Sequence, residues 1–140
     1  MELSNVKYLD EFNKLELRNF LFIGSATLAL YGIRENRDLD VVVPIETFIS
    51  LRFNRDLDFR FGGSGFYKYS TKDGKIEIFG QMPNSCGLSC LLTKQFLKEA
   101  IELNSYKFMP LNKVLAMKKI RRTERDLKDI KLIENYLNET

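Results

Sequence analysis

Asp38 and Asp40 stand two residues apart at the head of the run Asp38-Leu39-Asp40-Val41-Val42-Val43. Side chains alternate between faces along a strand, so the two carboxylates share one face while Leu39 points into a core. Two carboxylates on one face offer hard oxygen ligands to a divalent cation. Upstream, Leu21-Phe22-Ile23 runs into Gly24-Ser25 and then Ala26 to Tyr31, the pattern of a short strand turning through glycine into a helix. Such a junction leaves backbone N–H groups free to meet phosphate. Cation ligands and phosphate donors in one stretch of chain point to nucleotide chemistry.

The elements that must position these residues follow an α/β order. Val6, Leu9, Phe12 and Leu15 recur at three-residue spacing and predict one helical face ahead of the first strand. Gly32 suits the C-terminal cap of the helix that Ser25 begins, and Pro44 suits the start of a helix carrying Ile45, Phe48, Ile49 and Leu51. Strands are expected at 59–61, 65–69 and 75–79, the last two joined by a Lys72-Asp73-Gly74 turn, and helices at 96–103, 111–120 and 126–137. The expected fold class is α/β (α+β), a small mixed β-sheet flanked by helices. The chain reads as a single domain over 1–140, with a core at about 20–80 and C-terminal helices at about 93–137.

Gly24-Ser25, the twelve residues after it and Asp38-Leu39-Asp40 resemble the Gly-Ser and Asp-x-Asp pattern of the nucleotidyltransferase superfamily that includes DNA polymerase beta. The longer string Arg34-Glu35-Asn36-Arg37-Asp38-Leu39-Asp40 is similar to a segment of the lincosamide and aminoglycoside nucleotidyltransferases and of abortive-infection toxins. Val114-Leu115-Ala116-Met117-Lys118 with Arg125-Asp126-Leu127-Lys128-Asp129-Ile130 is similar to the C-terminal helices of that branch. The resemblance covers about 21–137. It implies transfer of a nucleoside monophosphate from an NTP to an acceptor hydroxyl, with Mg²⁺ or Mn²⁺ held by Asp38, Asp40 and a third carboxylate. It further implies that Gly24 and Ser25 cradle the phosphates, that Arg37 and Arg34 offset charge near them, and that Lys118 helps hold the triphosphate.

Glu77 is the candidate third carboxylate. In Lys75-Ile76-Glu77-Ile78-Phe79 the isoleucines share one face and Glu77 takes the other. Relatives mostly carry Asp there. Asp73 in the preceding turn is the alternative, and a Glu on the open face of an edge strand is also often simply solvated. The words Asn36-Arg37-Asp38-Leu39-Asp40 recur as Asn54-Arg55-Asp56-Leu57-Asp58, but the second copy follows a predicted helix and lacks the Gly-Ser turn, so Asp56 and Asp58 are assigned to a helix-to-strand connection.

Composition narrows the chemistry. The chain of 140 residues has no histidine, which excludes a histidine general base and a Ser-His hydrolase. Cys86 and Cys90 alone are too few ligands for zinc and read as free thiols of a reduced compartment. The N-terminus lacks a basic segment leading into an apolar one, and no uncharged stretch is long enough to span a bilayer, so a cytoplasmic location and no membrane partner are expected. The net charge of +3 conceals a segment, 113–131, with eight basic and three acidic residues. That segment is either a solvated helix pair or a groove for a polyanion such as tRNA, with Tyr106 and Phe108 placed to stack on bases or to pack in the core. The acceptor is open: an antibiotic-sized small molecule, tRNA or a protein hydroxyl. A chain of this length has little room for a separate acceptor-binding domain, so either the acceptor site is built at a homodimer interface or the acceptor is a macromolecule, and a toxin or antitoxin chain is the other expected partner. The alternative to an enzyme is a non-catalytic chain of the same fold acting as antitoxin, regulator or nucleic-acid-binding module.

Overall fold

A computed structural model describes residues 1–61, 66–83 and 89–140. In chain order the elements are α1 (Leu9–Asn13), β1 (Leu21–Ile23), α2 (Ser25–Leu30), β2 (Leu39–Val42), α3 (Ile45–Ser50), β3 (Leu57–Phe61), β4 (Tyr67–Thr71), β5 (Ile76–Phe79), β6 (Met82–Pro83), β7 (Ser89–Cys90), α4 (Lys94–Glu99), β8 (Ile101–Leu103), β9 (Tyr106–Phe108), α5 (Leu111–Arg121) and α6 (Glu124–Glu139), with 3-10 turns at Leu3–Asn5 and Leu51–Phe53. Seven strands form one mixed sheet in the order β3-β4-β5-β2-β1-β9-β8, and β6 and β7 make a separate ribbon. The expected class, a mixed sheet flanked by helices, is the one observed.

Strand alternation divides the core in two. Phe22, Leu39, Val41, Ile76, Ile78, Tyr69 and Phe108 point to one face, where they meet Phe12 of α1 and partly buried Phe48 of α3. Leu21, Val42 and Met82 point to the other, with Val114 of α5 and Ile133 of α6. Asp40 and Glu77 alternate with the first set, so they belong to the face that α5 and α6 cover. β2 and β5 run parallel with Asp40 opposite Glu77, while β1 and β2 run antiparallel with Ile23 opposite Asp40.

Four sequence expectations change. The predicted helix 96–103 is α4 followed by β8, because Ala100 is extended and Asn104 and Ser105 adopt positive φ to turn β8 back onto β9. The face of Val6, Leu9, Phe12 and Leu15 does reach the core, but a left-handed Tyr8 breaks the predicted single helix, and α1 is only Leu9–Asn13. Asp58 lies on β3, not in a connection; only Asp56 precedes the strand. β5 is an interior strand between β4 and β2 rather than an edge, which rules out the open-edge setting for Glu77. Residue 65, the start of the expected middle strand, the Gly62-Gly63-Ser64-Gly65 run, which the sequence predicts to be a loop between strands, and Cys86 lie outside the described residues. Cys90, on β7, is a half-buried free thiol. Among the described residues no helix is long and apolar enough to cross a membrane.

Candidate metal centre

Asp38 sits just before β2, Asp40 within it and Glu77 on the neighbouring parallel strand, so adjacent strands bring three carboxylates to one spot. Each offers an oxygen, and these atoms lie within 4.8 Å of one another. The approach is held by backbone rather than by attraction. Buried Asn36 donates to the Asp38 carbonyl oxygen at 3.0 Å and exchanges hydrogen bonds with the Lys7 backbone at 3.0 and 3.2 Å, which fixes the loop that delivers Asp38. The Leu39 N–H donates to the Lys75 carbonyl oxygen at 2.7 Å and secures the register of β2 on β5.

The electrostatics are those of an anion cluster short of cations. Burial, followed by the charges of Asp38 and Glu77, pushes the Asp40 carboxyl well above the ordinary carboxylate value. Burial and then the Glu77 charge raise Asp38. Asp40 Oδ1 is buried with no hydrogen-bond partner. A buried acceptor normally finds a donor, so an orphaned carboxylate oxygen beside two further carboxylates is suited to a cation. An all-oxygen donor set favours Mg²⁺, Mn²⁺ or Ca²⁺ over softer metals.

Gly24 abuts this cluster. It has φ +63° and ψ −129°, a conformation reserved largely for glycine, and a Cβ built there would stand 3.8 Å from Asp40 Oδ2. The turn therefore carries the start of α2, with half-buried Ser25, past the carboxylates. Thr27 pins that helix by donating its hydroxyl to the Met109 carbonyl oxygen at 2.8 Å.

The remaining expected residues divide. Arg37 is exposed beside Asp38. Arg34 forks onto Asp129 through 2.7 and 2.8 Å hydrogen bonds, and its charge is still felt at Asp38. Lys118 is buried, 2.9 Å from Asp129 and 3.5 Å from Asp126. Both cations are thus held by α6 carboxylates rather than presented to solvent. Asp73 accepts from Thr71 and from the Lys75 N–H within its own turn and takes no part in the carboxylate cluster. Phe108 is fully buried and is not presented for stacking on bases, while half-buried Tyr106 donates to Asn13 and sets its ring beside Phe20 and Phe22.

Three participants escaped the sequence reading. Lys68, on β4, donates to Glu77 Oε1 at 2.9 Å, and its charge moderates the rise of Asp38 and Asp40. The alternation Lys68-Tyr69-Ser70 puts Lys68 and Ser70 on the Glu77 face, but only the strand register reveals that. Arg121, at the end of α5, lies close enough to Asp40 to feel its charge and is clamped by Asp126 at 2.8 and 3.1 Å. Asp126 itself was detectable, since Thr123-x-x-Asp126 is a capping-box pattern. Burial would raise its carboxyl, but hydrogen bonds from Arg121 and Thr123 outweigh burial and hold it down at about 2. Comparison of the chain with protein-family models, curated proteins and solved structures finds no significant match.

Proposed function

We propose that this chain is a metal-dependent nucleotidyltransferase of the DNA polymerase beta type, moving a nucleoside monophosphate from an NTP to an acceptor hydroxyl with release of pyrophosphate. The observation that carries the reading is the convergence of Asp38, Asp40 and Glu77 within 4.8 Å, with a buried, unpartnered Asp40 oxygen among them. Asp38, Asp40 and Glu77 would hold the cation, Mg²⁺ or Mn²⁺. When bound it supplies a lowered pKa for the acceptor hydroxyl and charge neutralisation for the leaving pyrophosphate.

The protein's own groups bind and orient. Gly24 and Ser25 offer backbone N–H and hydroxyl donors beside the carboxylates, and Arg37 and Arg121 bring positive charge to the rim, where a triphosphate would otherwise meet three anions. Arg34 and Lys118 act at one remove: through Asp129 they tie α6 to the loop that leads into Asp38 and to α5. Where proton transfer from the acceptor is needed, carboxylates are the bases at hand, the chain having no histidine.

The test is transfer of α-³²P label from each NTP into RNA, protein and a panel of aminoglycosides and lincosamides. Glu77→Gln should keep most nucleotide affinity and lose transfer by about a hundredfold, roughly 3 kcal/mol of transition-state stabilisation. A second reading, a non-catalytic partner of the same fold, is favoured by Lys68, whose ammonium already neutralises Glu77 at 2.9 Å. Wild-type protein that binds Mg·NTP and labels no acceptor would establish that alternative.

A further inference from the structure

The outer edge of the seven-stranded sheet carries a surface that the proposed chemistry leaves unused. β3 pairs with β4 on one side and, among the described residues, with nothing on the other. Its apolar side chains do not end where the core ends. Phe59 and Phe61 are 56% and 64% exposed and Tyr67 is 58% exposed, and the three rings pack side by side with centroids 5.2 and 5.0 Å apart. An open strand edge beside an exposed aromatic cluster is a template for another strand.

The residues of the edge say which strand. Leu57-Asp58-Phe59-Arg60-Phe61 is self-complementary when two copies run antiparallel about Phe59: Asp58 faces Arg60 of the second copy, Arg60 faces its Asp58, Phe59 faces Phe59 and Leu57 faces Phe61. A two-fold axis perpendicular to the sheet allows only registers in which residues of the same face oppose one another. Sliding one step either way within that set puts Asp58 opposite Asp58 or Arg60 opposite Arg60, so like charges reject both neighbouring registers. Asp58 and Arg60 are within reach of such a partner: their side chains are 34% and 51% exposed and, among the described residues, bond to each other at 3.2 Å and, for Asp58, to Lys72.

We infer that the chain forms an isologous dimer by antiparallel pairing of two β3 edges centred on Phe59, joining two sheets of seven strands into one. Because the axis is perpendicular to the sheet, both carboxylate clusters open on the same side. Asp58 stands in the cross-strand row Asp40, Glu77, Ser70, Asp58, so Arg60 of the second copy extends the polar face leading to each cluster.

Charge reversal tests this through sedimentation equilibrium of the full chain. Wild type should be a reversible dimer. Arg60→Asp and Asp58→Arg should each weaken association by roughly tenfold or more, through two symmetry-related repulsive pairs, and the double variant D58R/R60D should restore it. Circular dichroism of each variant separates loss of pairing from loss of fold. As an independent arm, Phe59→Cys, on the axis, should yield a disulfide-linked dimer on mild oxidation through residue 59 itself, identified by peptide mass spectrometry, and Phe61→Cys should not cross-link to its own copy. A wild type that stays monomeric up to its solubility limit, or a dimer unmoved by either single reversal, overturns the inference. So does capture of a different protein's strand by this edge in preference to a second copy.

Discussion

Replacing Asp40 by Asn should make the metal-free protein more stable, although it removes a residue at the centre of the candidate site. Asp40 shares its pocket with two other carboxylates, the ligand atoms lying within 4.8 Å of one another. At that distance each like-charge pair costs about 3 kcal/mol at an effective dielectric constant of about 20. The Lys68 ammonium, 2.9 Å from Glu77, offsets part of this. A net gain of about 2 kcal/mol, or roughly 5–10 °C in Tm, is expected for Asp40→Asn in EDTA at neutral pH.

Divalent cation should reverse the order. At a hundredfold excess over its Kd it adds about 3 kcal/mol to the wild type and little to the variant. The pH profile supplies a second check. Asp38 and Asp40 hold protons more tightly in the folded chain than in the unfolded one, so metal-free wild type loses stability as pH rises from the ordinary carboxylate value of 3.8 through their raised values. Asp40→Asn should flatten that slope. Thermal unfolding at pH 5 and 7, with EDTA and with Mn²⁺, reads all of these outcomes. A destabilised Asp40→Asn in EDTA, or an undiminished Mn²⁺ shift, would refute the account of the cluster as an anion site short of a cation.

The α5–α6 clamp should respond to pH in the opposite sense. Asp126, held at about 2 in the folded chain, contributes stability that is complete above about pH 4 and is lost as pH falls toward 2; Asp126→Asn should cost about 2 kcal/mol in urea titrations near neutrality and remove that acid limb. Gly24→Ala, at φ +63°, should cost about 1–3 kcal/mol in the same assay and weaken Mn²⁺ binding by displacing the turn beside Asp40. Gly80→Ala brings a methyl within 2.8 Å of the Phe48 ring carbon and should cost about 1–3 kcal/mol without altering Mn²⁺ affinity, which separates core strain from damage to the site.

What could be read from sequence was what depends on local geometry. Alternation alone put Asp38 with Asp40 and set Glu77 against Ile76 and Ile78, and those three carboxylates do meet. The turn at Gly24 and the helix after Pro44 were readable because glycine and proline act on their own backbone. Residues whose roles depend on distant partners were not. Arg34 finds Asp129, 95 positions away, and Lys118 lies under α6 although its neighbours in sequence suggest a solvated basic face. The 96–103 segment misled because Phe96, Leu97, Ala100 and Ile101 satisfy a helical spacing, while the competing alternation of Ile101-Glu102-Leu103 with Tyr106-Lys107-Phe108 is a hairpin signal set by two turn residues. Lys68 is the instructive omission: nothing in Tyr67-Lys68-Tyr69 announces a counter-ion until β4 is in register with β5.

The strand order also sets a sequence of events in time. β2, β3, β4 and β5 are joined by antiparallel pairings and one parallel pairing within residues 39–79, whereas β1 completes its second edge only through Phe22 opposite Phe108. Closing that long loop costs chain entropy before any contact repays it, so the parallel β1–β9 pairing, and with it the docking of α5 and α6, should come late. The three carboxylates are then gathered before Arg121 arrives to face them. During that interval Lys68, the charge of Arg34 and the cations of the medium oppose their repulsion, and the refolding rate should rise with Mg²⁺ concentration even where no nucleotide is present.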